Sequence, residues 1–92
     1  MKIPISDMII GGGFSEKNQR FLETVAELSG HDLKKRIAVK QINNAMELGR
    51  TEIKNILEYL DELGYLKIKT IGGPLLYGHV SITQEGLEKA AE

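Results

Sequence analysis

Apolar residues recur at three- and four-residue intervals through residues 16–63, and from residue 65 the interval shortens to two. The first pattern predicts helices and the second predicts strands. Over residues 16–29, Phe21, Leu22, Val25, Ala26 and Leu28 form one stripe, with Glu16, Arg20, Glu23 and Glu27 opposite. Ser15 is the expected N-cap, and Glu16 faces the positive end of the helix dipole. Ile37-Ala38-Val39 then reads as a short strand, with helix continuous from Leu33 as the alternative. A second helix is expected over residues 40–48, with Ile42, Ala45, Met46 and Leu48 inward. Gly49-Arg50 makes a turn, and Thr51 is the expected N-cap of a third helix, 52–63. There Ile53, Ile56, Leu57, Leu60 and Leu63 give the cleanest amphipathic spacing in the chain. Gly30, Gly49 and Gly64 each close a helical stretch, as suits a residue that tolerates the left-handed conformation. Residues 65–71 and 77–82 predict a β-hairpin with a loop at 72–76, Val80 and Ile82 sharing a face. Thr83 caps a last helix, 84–91, with Leu87, Ala90 and Ala91 available for packing. Gly86 is the exception among the glycines, falling inside that helix near its first turn.

Composition narrows the possibilities. The chain has 92 residues, 41% hydrophobic and 27% charged, which suits one small domain of the α+β class, mostly α. Gly11-Gly12-Gly13 sets off an N-terminal arm, residues 1–14 with apolar Met8-Ile9-Ile10, from the domain at 15–92. No cysteine is present, which excludes disulfides and thiolate chemistry and suits a reducing, cytoplasmic setting. No apolar run reaches the ~18–20 residues a membrane-spanning helix needs. The glycine triplet lacks the Gly-Lys-Ser/Thr ending of a phosphate loop and reads as a hinge. His31 and His79 form no metal-ligand spacing, and Ser, His and Asp occur without a nucleophile-elbow sequence. No enzyme, metal or cofactor is expected.

Net charge is −1, which by itself does not suggest a polyanion partner. Its distribution does. Between Lys34 and Lys54 lie six basic residues (Lys34, Lys35, Arg36, Lys40, Arg50, Lys54) and two acidic ones (Glu47, Glu52), a local +4. Beyond them Glu58, Asp61 and Glu62 stand unopposed in the third helix.

The order of helix, short strand, helix, tight turn, helix, hairpin and helix contains a helix-turn-helix followed by a hairpin. The run from Asn43 to Leu66, ending Leu60-Asp61-Glu62-Leu63-Gly64-Tyr65-Leu66, resembles the winged-helix family of DNA-binding domains. Ser81-Ile82-Thr83-Gln84-Glu85-Gly86-Leu87 is similar to the step after the wing in many archaeal and bacterial regulators of that family. The resemblance implies a three-helix core, a wing and a C-terminal helix, with the third helix offered to the major groove of double-stranded DNA. Projected at ~100° per residue, that helix puts Thr51 and Asn55 opposite the apolar stripe, with Lys54 at the flank. Recognition helices read bases mainly with N-terminal residues, so Arg50, Thr51, Lys54 and Asn55 are the candidate readers. Lys34, Lys35, Arg36 and Lys40 are candidate phosphate contacts, with Lys67 and Lys69 secondary. A homodimer is expected, with the arm and the last helix as its elements. The loop residues Leu75-Leu76-Tyr77 lack basic neighbours, which suggests a protein contact or a fold-back onto the core. The alternative function is a winged-helix protein-interaction module without DNA binding.

Overall fold

The first apolar stripe folds as α1, Glu16–Ser29, in the computed structural model, which describes residues 15–73 and 75–92. The N-terminal arm expected at residues 1–14, with its apolar head and glycine hinge, lies outside the described residues. The Ser15 hydroxyl accepts the Asn18 N–H at 3.1 Å, and Gly30 closes the helix with φ +61°. A short strand β1, Ile37–Ala38, leads into α2, Val39–Met46, and a three-residue turn leads to α3, Arg50–Glu62. Strands β2, Leu66–Ile71, and β3, Tyr77–Ile82, form the hairpin, and α4, Gln84–Ala90, ends the fold. The result is an α+β fold of four helices and one antiparallel sheet, mostly helical.

In the sheet β3 is central, in the order β1-β3-β2, with Ile37 opposite Val80 and Leu66 opposite Ile82. All the helices but the short α4 bury one apolar side against it. Phe21, Leu22 and Val25 of α1, Val39 and Ile42 of α2, Ile53, Leu57 and Leu60 of α3, and Leu66 and Val80 of the sheet are all fully buried. Burial of this kind is worth about 1.5–3 kcal/mol per large side chain and is the main force holding the elements together.

Several expectations are corrected. Val39 starts α2 instead of ending the strand, and α2 stops at Met46, short of Leu48. The left-handed residue there is Glu47, φ +56°, and Gly49 is extended at φ −73°. The Asn43 carboxamide explains the early stop: its Oδ1 accepts the Leu48 N–H at 2.6 Å and bends the chain out of the helix. Thr51 is not the N-cap of α3. The helix begins two residues earlier, at Arg50, with Gly49 as N-cap and the Glu52 carboxylate reaching back to the Gly49 N–H at 3.4 Å. Ala45 is exposed, and Leu63, beyond the last helical turn, is 43% exposed.

A non-glycine residue in the left-handed region costs roughly 1 kcal/mol, a cost that asparagine partly escapes. Glu47→Asn should therefore raise stability by about 0.5 kcal/mol, read as a higher urea midpoint at unchanged slope. A lowered midpoint would mean that Glu47 has a compensating contact.

Candidate nucleic-acid interface

Two short helices across a tight turn, with a hairpin alongside, set the candidate side chains in position. α3 is held from beneath by Ile53, Ile56, Leu57 and Leu60, so its other side is forced toward solvent. Arg50, Thr51 and Asn55 are exposed there, and Lys54 is half-buried at the flank. Among the described residues Arg50 makes no ion pair, whereas the Lys54 ammonium lies 3.3 Å from Glu58 Oε1. The start of α3 is tied to α1, because the Lys17 ammonium pairs with the Glu52 carboxylate. That contact, aided by the Gly49 N–H, holds the Glu52 carboxyl below its ordinary range.

The other carboxylate on this helix forms a second tie. Glu58 accepts the Tyr77 hydroxyl at the base of β3 with one oxygen and the Lys54 ammonium with the other. The Tyr77 hydroxyl first, and Lys54 second, pull the Glu58 carboxyl down, and Glu58 in turn pushes the Tyr77 phenol up. A glutamate on a groove-facing helix can accept from a cytosine amino group. Both Glu58 oxygens are instead engaged within the chain, where they hold the hairpin against α3. The partners are 19 residues apart, and no periodicity in the sequence connects them.

The basic residues divide into separate groups. β1 runs toward the 72–76 turn, since Ile37 pairs with Val80 and Ala38 with His79. Lys40, one residue into α2, therefore stands at the turn end of the sheet. Lys34, Lys35 and Arg36 precede β1 and stand at the far end, all three exposed. Lys67 and Lys69 line a groove of about 450 Å³ together with Leu33, Gly64, Ser81 and Thr83, which none of Arg50, Thr51, Lys54 and Asn55 borders. The +4 segment read from the sequence is thus split in space. Arg50, Thr51, Lys54 and Asn55 stay together, and the Lys34-Lys35-Arg36 run lies elsewhere.

The hairpin loop folds back. Leu75 and Tyr77 pack against the core cluster and are only partly exposed, and Leu76 takes φ +76° to make the reversal. Tyr59 borders a shallow depression with Asn18, Asn55 and Ile56 between α1 and α3. His79 is exposed on β3, its Nδ1 3.0 Å from the Thr70 hydroxyl. Among the described residues no group of three or more His, Asp or Glu side chains could hold a metal ion. Among them, too, no helix is long and apolar enough to cross a membrane.

No protein-family model, curated protein or solved structure matches this chain.

Proposed function

We propose that the chain is a winged-helix domain that binds double-stranded DNA as a small, homodimeric transcriptional regulator. The amino-terminal half of α3 enters the major groove. The observation that carries this reading is the placement of Arg50, Thr51 and Asn55, exposed together on the solvent side of the first turns of α3 and directly after the α2–α3 turn. Arg pairs bidentately with guanine and Asn with adenine, and Lys54, released from Glu58, reaches phosphate. Lys40 supports the backbone contact from the start of α2. Lys34, Lys35, Arg36, Lys67 and Lys69 enlarge the positive field without sharing that surface.

Fluorescence anisotropy with a random duplex at several salt concentrations tests the reading. Wild type should show a steep negative dependence of log K on log salt, at ~0.9 per phosphate neutralised. Arg50→Ala/Lys54→Ala should weaken binding and flatten that slope by about one unit, since Lys54 contributes the phosphate contact and Arg50 the guanine contact. If the two proteins bind equally weakly with no salt slope, the duplex reading is dead. The protein-interaction alternative then takes its place, supported by the acidic, partly apolar strip along the second half of α3.

A further inference from the structure

Between the carboxyl-terminal half of α3 and the hairpin lies a groove of about 610 Å³, bordered by Glu58, Asp61, Glu62, Ile68, Ile71 and Tyr77. Ile71 is 81% exposed, an unusual position for an isoleucine on an ordered strand. The burial of β2 alternates, which leaves Ile71 exposed in step with Lys67 and Lys69, and the pairing register shifts between Ile68 and Thr70 and again between Thr70 and Ile71. Ile68 and Ile71 nevertheless border the same groove. Glu58 is engaged by Lys54 and Tyr77, whereas Asp61 and Glu62 make no ion pair among the described residues, so the groove repels a polyanion and suits an occupant that is cationic and carries an apolar side chain.

The chain has one run of three consecutive basic residues, Lys34-Lys35-Arg36, and it follows Leu33. All four residues are exposed, Leu33 at 41%. Asp32 shapes the loop that presents them, its Oδ1 accepting the Lys34 N–H at 2.9 Å and its carbonyl the Lys35 N–H at 3.3 Å. This loop does not fill the groove of its own chain. Leu33 lies beside Lys67 and Lys69, whereas the acidic groove lies beside Ile68 and Ile71, and the two grooves share no residue.

We infer that the acidic groove of one copy receives the Leu33–Arg36 loop of a second copy. Leu33 packs on Ile71, and Lys34 and Lys35 face Asp61 and Glu62. Two such contacts related by a two-fold axis close a dimer, each chain giving a loop and receiving one. The inference deepens the homodimer of the preceding reading but moves its interface away from the arm and α4. It leaves the start of α3 uncovered.

Light scattering on the full chain, without DNA, tests it, so failure here leaves the duplex titration untouched. Wild type should have twice the chain mass at about 0.1 M salt. It should fall toward the single-chain mass at about 1 M, where the screening length drops from ~10 to ~3 Å. Asp61→Lys/Glu62→Lys and Lys34→Glu/Lys35→Glu should each be monomeric, and an equimolar mixture of the two should recover the dimer. Ile71→Ser, at a site too exposed to unfold the chain, should also be monomeric with wild-type circular dichroism. A monomeric wild type, charge variants that keep the dimer, or a mixture that stays monomeric would each overturn the assignment.

Discussion

Gly86→Ala should cost this fold about 3 kcal/mol or more, although alanine is the better helix former by about 1 kcal/mol. A Cβ at Gly86 would lie 2.1 Å from the Tyr65 carbonyl oxygen and 2.9 Å from Ile82 Cγ1. The first neighbour is backbone and is fixed twice over. The Tyr65 oxygen accepts the Thr83 N–H at 3.1 Å and the Thr83 hydroxyl at 3.0 Å, and the Tyr65 N–H donates to the Leu60 carbonyl at 2.9 Å. Relief must come from α4, which would give up its Thr83 cap on the Gly86 N–H at 2.9 Å and the Gln19 bond to the Lys89 carbonyl at 2.9 Å. Overpacking costs ~1–3 kcal/mol and a lost cap ~1, so together they exceed the gain in propensity. A domain of this size has about 5 kcal/mol to lose. Thermal and urea melts followed by circular dichroism read the effect, and an unchanged midpoint would show that α4 docks some other way.

Leu57→Ala should cost about 2–5 kcal/mol, because Leu57 is fully buried under α3 and the cavity left behind cannot collapse without moving that helix. Leu63→Ala, six residues on and 43% exposed, should stay within about 1 kcal/mol. The helical spacing assigns both leucines to the same stripe, so the pair separates position in the fold from position in the pattern. Equal losses of urea midpoint in the two variants would contradict the burial of α3 described above. If α3 enters the groove as proposed, its loosening in Leu57→Ala should also weaken duplex binding at concentrations where the chain remains folded.

The elements themselves were legible because each follows from local rules. The α1 stripe, the alternation of β2, and the Ser15 and Thr83 caps all depend on residues within one or two turns and appear where the spacing predicts them, whereas β3 buries Val80, Ser81 and Ile82 in succession. Helix ends were less legible where a side chain competes with glycine for the turn. Asn43 ends α2 from within, and Glu47 takes the left-handed position expected of Gly49. The candidate site was legible in part. Exposure of Arg50, Thr51 and Asn55 follows from helical periodicity, but the separation of Lys34-Lys35-Arg36 from them follows from strand register, which no stretch of sequence contains. The Glu58–Tyr77 contact and the need for glycine at 86 are likewise tertiary. Each pairs segments that meet only after the sheet and α3 are in place.

The order β1-β3-β2 leaves β2 as a border of the sheet, and a border strand carries a row of backbone groups that another chain could zip onto. Lys67 and Lys69, first considered for phosphate, stand on this strand, and its register breaks immediately after Ile68. Charge and irregularity are two of the devices by which exposed sheet borders resist pairing with other chains. On the opposite border β1 is only two residues long, too short to template anything. Among the described residues, the lysines of β2 therefore put charge on the longer of the two sheet borders, where pairing with another chain would otherwise be open.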